Sequence, residues 1–280
     1  MDIKISQDMK LVRELLGISQ ADLAEELGVE ILTIQRIENE VTRTSKRTIE
    51  NFYNFVYNKK IYLNKIKEMF YLEDLREEKL LFHGSKNNID TKRSRKNNDF
   101  GQGFYCGESY EQAAAFVENF EDSKIYYFAF DTKNLKSLKY IVDQNWMLTI
   151  AYFRGTLDKY KEHQKIKKLI SKLNEADYII APIADNKMFR IIDSFIRGEI
   201  TDEQCKHCLS ATNLGYQYVL LTDNAIGKLR TLECCYMPVD ERKNYRRIKT
   251  EDNKISEDKV RLARIKYRGK GQYIDEILKW

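Results

Sequence analysis

The spacing of apolar residues changes near Lys79, and this change limits the folds open to the 280-residue chain. Before Lys79, apolar residues recur at helical intervals, as Leu23, Ala24 and Leu27 do. After it, short apolar runs at 80–82 and 178–182 have the length and composition of strands. These strands do not alternate regularly with helices. The pattern therefore predicts an all-α segment followed by a mixed α+β domain rather than a doubly wound parallel sheet.

Charge and helix signals divide the chain into four expected segments. Residues 1–60 form a small all-α domain with five short helices between residues 9 and 57, one of which starts after Ser19 and ends at Gly28. Residues 61–78 form a charged helical connector, residues 79–240 the α+β domain, and residues 241–280 a basic extension. Residues 241–271 carry twelve Lys or Arg and five Asp or Glu, which is typical of a solvated helix or of a surface that contacts phosphates or an acidic partner.

Apolar content and cysteine use predict a soluble cytoplasmic protein without a membrane partner. No apolar run approaches the roughly 18 residues of a membrane span, and the N-terminus lacks a signal-peptide pattern. The five cysteines are an odd number, which indicates reduced thiols. Cys205, His207 and Cys208 lie on a predicted helix, and no second Cys-x-x-Cys motif accompanies them, so we expect no metal site.

The segment LLGISQADLAEELGV at 15–29 and its continuation TIQRIEN at 33–39 resemble the phage-repressor (xenobiotic-response-element) family of helix-turn-helix domains. Small Ala24 and turn residue Gly28 suit two helices that cross closely. The resemblance implies a DNA-binding module that acts as a homodimer. It implies phosphate contacts from Gln20, Arg43 and Ser45, and base contacts from Thr33, Gln35 and Arg36.

The start of the expected recognition helix also favours a second interpretation. Glu30, Ile31 and Leu32 stand where polar or basic residues are common in the family, and an acid repels phosphate. Residues 1–60 carry nine Lys or Arg and ten Asp or Glu, and this near-zero net charge weakens the DNA-binding interpretation. The alternative is a dimerisation or partner-docking module, for example an antitoxin-like lid.

Two further motifs, FHGS at 82–85 and DFGQGFY at 99–105, resemble the His–Tyr–Glu branch of the ADP-ribosyltransferase fold, which includes diphtheria toxin and poly(ADP-ribose) polymerases. A second aromatic residue, Phe116, follows Tyr105 at the family's spacing of eleven residues. The resemblance covers about residues 80–236 and is strongest to bacterial members of unassigned function, which share a later PIAD, here at 182–185.

This resemblance implies NAD as the co-substrate. Tyr105 and Phe116 would stack on the two faces of the nicotinamide ring, and the backbone of Gly84 would approach its carboxamide. His83 would hydrogen-bond a ribose hydroxyl, and Arg93 or Arg95 would meet the pyrophosphate. The expected NAD-binding residues are thus His83, Gly84, Ser85, Arg95, Gly103, Tyr105 and Phe116.

The third signature residue departs from the family, because Gln217 stands at the position of its catalytic Glu. An amide still hydrogen-bonds the 2′-hydroxyl of the nicotinamide ribose, but it brings no charge to stabilise an oxocarbenium-like ribose. This argues for mono-ADP-ribosylation and against chain elongation, and it leaves an inactive domain possible. We expect a catalytic set of His83, Tyr105 and Gln217 with a compensating carboxylate, Asp185 first and Glu118 second.

The sequence thus predicts an NAD-dependent mono-ADP-ribosyltransferase joined to a helix-turn-helix module. By analogy such a fusion suits a bacterial toxin, a toxin–antitoxin component or a phage-defence effector, with an antitoxin as a possible partner. The alternative is a transcription regulator whose degenerate transferase domain senses NAD or an ADP-ribose compound. The acceptor of the ADP-ribose stays open between protein, DNA, RNA and a small molecule.

Overall fold

The computed structural model describes residues 3–86, 89, 91, 96, 98–121, 123–211 and 215–279. By its internal contacts the chain divides into two compact units. The first consists of Met1–Asn88, Ser109–Ala129 and Thr231–Ile248, and the second of Ile89–Glu108, Phe130–Arg230 and Lys249–Trp280. Both contain helices and strands, so the predicted α+β class is confirmed.

In chain order the helices are α1 (Ile5–Leu16), α2 (Gln20–Leu27), α3 (Ile31–Glu38), α4 (Lys46–Asn58), α5 (Leu63–Asp74), α6 (Tyr110–Val117), α7 (Gln144–Phe153), α8 (Gln164–Asn174), α9 (Asn186–Ile196), α10 (Asp202–Ser210), α11 (Asp223–Gly227), α12 (Val239–Lys266) and α13 (Ile274–Ile277). The strands are β1 (Lys79–Ser85), β2 (Phe104–Gly107), β3 (Lys124–Phe130), β4 (Ser137–Lys139), β5 (Tyr178–Pro182), β6 (Tyr216–Leu220) and β7 (Leu229–Tyr236).

The helix-turn-helix segment begins with well-capped helices. The Ser19 side chain accepts from Asp22 N–H in a capping box that starts α2, and Gly28 ends α2 at a φ of 62°. The prediction of five helices between residues 9 and 57 is wrong, because this range holds only α1 to α4. Between α3 and α4 the chain turns at Glu40, which has a φ of 58°, and Ser45 then caps α4.

Two apolar clusters form the core of the first unit. One joins α1 to α4 around buried Met9, Leu23, Ile34 and Phe52, and it also includes Tyr236 of β7. The other lies under α6 and strands β1, β3 and β7, which neighbour one another in that order. Helix α6 approaches β1 closely at Gly84, where an added Cβ would lie 2.6 Å from the carbonyl oxygen of Ala113. The helix-turn-helix segment and this part of the α+β domain therefore belong to one packed unit.

The second unit contains strands in the order β4, β5, β6 and β2. Strands β4 and β5 are parallel, whereas β6 is antiparallel to both β5 and β2. The core of this unit is built from apolar residues of α7, α9, α10 and the strands, among them Trp146, Ile179, Ile192, Phe195 and Val219. The predicted strand at 178–182 matches β5.

The basic C-terminal extension forms one long helix, α12, followed by the single turn of α13. Val260 and Ala263 of α12 pack against the core of the second unit. In the part of the chain that the structure describes, no helix combines the length and the apolar character that a membrane span requires.

Candidate active site and nucleic-acid interface

A buried carboxylate lies beside the Gln217 amide in the second unit. Asp99 is 5% exposed, and its Oδ2 accepts a hydrogen bond of 3.1 Å from Nε2 of Gln217. Its Oδ1 accepts from Nε and Nη2 of Arg154 at 2.9 and 2.6 Å. Such a charge-assisted pair stabilises a carboxylate away from water. Asp99 therefore bonds both to Gln217, at the signature position, and to the guanidinium of Arg154.

The contacts of Gln217 determine the orientation of its amide. Nε2 donates both to Asp99 and, at 3.2 Å, to the carbonyl oxygen of Pro182. Because both partners are acceptors, the NH₂ group must face them, and Oε1 must point the other way. Among the described residues no donor bonds Oε1. Gln217 thus presents an acceptor oxygen, which is the group that a ribose hydroxyl would need.

The hydroxyl of Tyr105 holds the loop that precedes its own strand. It accepts from the N–H of Phe100 at 3.1 Å and donates to the carbonyl oxygen of Gly101 at 2.8 Å. Burial raises the pKa of the Tyr105 phenol above its ordinary value. Gly101 has a φ of 75°, and an added Cβ there would lie 2.7 Å from the Phe153 ring. Much of the DFGQGFY motif therefore stabilises the conformation of the loop before β2.

Tyr105 and Gln217 lie on neighbouring strands and share one face of the sheet. Tyr105 pairs with Val219 and Gly107 with Gln217, so the two side chains stand diagonally across the β2–β6 pair. Gly103 lies just before β2, where an added Cβ would come within 2.9 Å of the Leu220 carbonyl oxygen. The structure thus brings together Tyr105, Gln217 and Gly103 of the expected set.

The first unit carries the other expected NAD contacts. His83, Gly84 and Ser85 form the end of β1, and all three are half-buried. The missing side chain of Gly84 is explained by the close approach of α6, a structural role separate from the expected approach to nicotinamide. Phe116 lies on α6 and is 79% exposed, so its ring is available to a ligand. That Phe116 and Tyr105 stack on one ring stays a prediction.

The two acids expected to compensate for Gln217 have other contacts. Oδ1 of Asp185 caps α9 and accepts from the N–H groups of Lys187 and Met188 at 2.9 and 2.8 Å. Glu118 is buried in the first unit, and its carboxylate accepts from the Asn119 amide at 2.8 Å. The acid that contacts Gln217 is Asp99, which sequence reasoning missed. Arg93 and Arg95 lie outside the described residues.

The predicted DNA contacts lie on and around α3. Arg36 and Arg43 are exposed, and Thr33 and Gln35 are half-buried. Ser45 is exposed, but its hydroxyl already accepts from the N–H of Thr48 at 3.1 Å as the N-cap of α4.

Gln20 is held by a buried acid rather than left open to solvent. Its Nε2 donates to Glu38 at 2.7 Å, and Glu38 also accepts from Nε and Nη2 of Arg13 at 2.6 and 2.9 Å. Burial opposes the charge of Glu38, but the hydrogen bonds from Arg13 and Gln20 outweigh it and lower the pKa of this carboxyl. The network fixes α3 against α1 and α2.

A buried ion cluster links the helix-turn-helix segment to strand β7 within the first unit. Nζ of Lys67 on α5 lies 2.7 Å from Asp8 of α1 and 3.2 Å from Glu233 of β7. The hydroxyls of Tyr53 and Tyr71 donate to Asp8 and Glu233 at 2.5 and 2.8 Å. Burial opposes the charge of Lys67, but its acidic neighbours outweigh burial and raise its pKa.

Comparison with known proteins identifies two families along the chain. Residues 80–231 match the model described as protein of unknown function DUF3990, and residues 9–51 match a helix-turn-helix family model. No curated protein and no solved structure matches the chain. The second match confirms the predicted helix-turn-helix module of the DNA-binding type, whereas NAD binding, the homodimer and an antitoxin partner stay predictions.

Proposed function

The chain belongs to the DUF3990 family of proteins of unknown function, and we propose that its α+β domain is an NAD-dependent mono-ADP-ribosyltransferase coupled to a DNA-binding helix-turn-helix module. One observation carries the proposal. At the signature position, the Gln217 amide is locked by Asp99 and the Pro182 carbonyl so that its oxygen is offered as an acceptor. This atom would accept the hydrogen bond of the 2′-hydroxyl on the nicotinamide ribose.

In the proposed reaction the bond between nicotinamide and ribose C1′ breaks, and its electron pair leaves with nicotinamide. The ribose passes through an oxocarbenium-like state, and an acceptor nucleophile bonds to C1′ and releases a proton. His83 would orient a ribose hydroxyl, and the exposed ring of Phe116 would stack on nicotinamide. These residues bind and position the dinucleotide, so the proposal needs no further cofactor.

Electrostatics favour slow transfer of a single ADP-ribose. Gln217 is neutral, and the nearest acid in contact with it, Asp99, is already paired with Arg154. A preorganised charge aimed at the reacting atom is the largest stabilising contribution in such reactions. We therefore expect mono-ADP-ribosylation at a low rate.

A second candidate function is an NAD-sensing transcription regulator. The observation that favours it is the composition of the first unit, which holds both the helix-turn-helix segment and strand β1 with His83. The Asp8–Lys67–Glu233 cluster ties α1 to β7 within this unit. A ligand that shifted β1 would act on a body that also carries α3, which is the arrangement that a regulator needs.

Adenine-labelled NAD separates the two candidates. Purified protein is incubated with labelled NAD and cell lysate, and the products are then treated with protease or nuclease. Transfer of label to macromolecules, reduced about tenfold or more in a Phe116→Ala protein, supports the transferase. Absence of turnover together with an NAD-dependent change in DNA affinity supports the regulator. Absence of both NAD binding and turnover contradicts both candidates.

A further inference from the structure

The outer side of α12 exposes large aliphatic residues. Ile255, Leu262 and Ile265 are 55–69% exposed and recur at intervals of seven and three residues, so they follow one another along one helix face. The opposite face of α12 is the one that packs on the second unit through Val260 and Ala263. A helix with a second apolar stripe directed to solvent is typical of an interaction surface.

Positive charge predominates around the C-terminal end of this stripe, at Leu262 and Ile265, whereas Ile255 lies within one turn of Glu251, Asp252 and Asp258. Residues 259–270 carry six Lys or Arg and no Asp or Glu. Lys259 and Arg261 flank Leu262 on either side and are exposed. Nη2 of Arg261 also lies 3.3 Å from Oδ1 of Asp258, and this pair is open to solvent. Arg264, by contrast, turns towards α9, where its Nη2 donates to the Ser194 hydroxyl at 3.1 Å. We call Leu262, Ile265, Lys259 and Arg261 the basic face.

The end of α5 in the first unit has the opposite character. Met69, Phe70 and Leu72 are 52–61% exposed. Glu73 and Asp74 beside them are exposed, and residues 73–78 contain four acids and one Arg. We call Met69, Phe70, Leu72, Glu73 and Asp74 the acidic face.

We propose that the basic face of one copy of the chain binds the acidic face of a second copy. The two faces match in both respects, because each offers exposed large apolar side chains with flanking charges of opposite sign. Parallel pairing of α12 with a second α12 in register would instead place Lys259 and Arg261 near their own kind. The inference is independent of any NAD chemistry.

Nucleic acid is the other class of partner that a basic helix suggests, but the aliphatic stripe argues against it. Phosphate contacts are made by cations and polar groups. A surface that binds phosphates therefore does not need exposed aliphatic side chains such as Leu262 and Ile265 between its cations. An apolar stripe with a charged rim is typical of a protein interface.

The first measurement is the mass of the full-length protein by sedimentation equilibrium over a range of concentration and salt. The proposal expects reversible association that weakens as salt rises, because the flanking charges are exposed and therefore screened. A protein that stays monomeric at every concentration and salt overturns it.

Charge reversal then tests which faces meet. One variant carries Lys259→Glu and Arg261→Glu, and the other carries Glu73→Lys and Asp74→Lys. Each alone should self-associate about tenfold more weakly or worse, since like charges then face one another. An equimolar mixture of the two should regain association, because both contacts between unlike variants again join opposite charges.

A matched control reverses two exposed lysines elsewhere, Lys168→Glu and Lys172→Glu on α8. The control should associate as the original protein does, and circular dichroism checks that all variants are folded. Association that survives in both charge-reversed variants, or that does not return in their mixture, overturns the proposal. If the α12 variant instead loses only nucleic-acid binding while self-association is unchanged, the basic face binds nucleic acid and the proposal is wrong.

Discussion

Nε2 of Gln217 donates a hydrogen bond to Oδ2 of Asp99 across 3.1 Å, and this contact places a carboxylate directly behind the signature amide. Arg154 holds the other oxygen of the same carboxylate at 2.6 Å. The negative charge that Gln217 lacks is thus present on the side chain that it contacts, Asp99, but the Arg154 guanidinium neutralises most of it. A glutamate in place of Gln217 would therefore meet conditions quite different from those of an isolated signature acid.

Gln217→Glu should destabilise the domain at neutral pH. The substitution removes the donor to Asp99 and Pro182 and sets two carboxylates side by side, so we expect a loss of about 1–3 kcal/mol of unfolding free energy. Urea unfolding at neutral pH measures the loss.

The double variant Asp99→Asn/Gln217→Glu is the matched control. It again places one carboxylate and one amide in contact, so most of the lost stability should return, with a coupling energy of at least about 0.5 kcal/mol. A loss in the double variant equal to the sum of the two single-variant losses would show that the side chains do not interact in solution.

Lys67→Met should cost more stability than the loss of any exposed lysine, about 3–5 kcal/mol, because it leaves buried Asp8 without its cation and leaves Glu233 with Lys4 alone. Lys59→Met is the control, since Lys59 pairs with Glu26 at the surface, and it should cost no more than about 1 kcal/mol. Denaturant unfolding of both variants gives the comparison. Similar losses of unfolding free energy in the two variants would show that the buried ion cluster does not stabilise the fold as proposed.

Glu241 should make stability depend on pH near neutrality. Burial raises the pKa of this carboxyl from its ordinary 4.5 to about 7, while Tyr110 and Asn64 oppose the shift by hydrogen bonding. A raised carboxyl pKa means that the folded protein keeps a proton that the unfolded chain releases, so this contribution is complete below pH 4.5 and lost as pH rises through 7. The loss amounts to at most about 3 kcal/mol.

Glu241→Gln removes the titrating carboxyl group. The unfolding free energy of this variant should therefore fall less between pH 5 and pH 8 than that of the original protein. Thermal unfolding across that range provides the measurement. Parallel curves for the two proteins would mean that Glu241 is ionised in both states.

Arg43→Ala should weaken DNA binding by a similar factor for all sequences and reduce the salt slope by about one, as expected for the loss of one phosphate contact. Arg36→Ala should instead reduce sequence preference, because Arg36 is exposed on α3. Fluorescence anisotropy at several salt concentrations distinguishes the two effects. An unchanged salt slope in the Arg43→Ala protein would argue for a partner-docking role of the module.

Local signals were sufficient to predict much of the fold. The apolar run at 178–182 and the helical spacing of Leu23, Ala24 and Leu27 are strong patterns within single elements. Strand β7 escaped prediction because Glu233 lies inside it and is buried. Its partners Lys67, Lys4 and Tyr71 explain how that acid is tolerated, and all of them lie more than 150 residues away, so no local pattern contains them.

The candidate site was predictable in its parts but not in its contacts. Motif spacing singled out His83, Tyr105 and Phe116, which lie on β1, β2 and α6. The motif itself includes Asp99, yet its contact with Gln217 spans 118 residues and depends on how the strands pair. Asp185 looked like a free acid in sequence, whereas it is a helix cap, a role that its position before α9 would have suggested.

Calorimetric titration of the full-length protein with NAD tests the central claim most directly, because both candidate functions require that NAD binds. The account predicts saturable binding with a Kd below about 1 mM, weakened about tenfold by Phe116→Ala, whose exposed ring contributes little to folding. Gln112→Ala, a half-buried residue of the same helix, serves as a control that should keep the original affinity. No saturable binding by the original protein up to millimolar NAD, in a sample shown to be folded, would contradict the account.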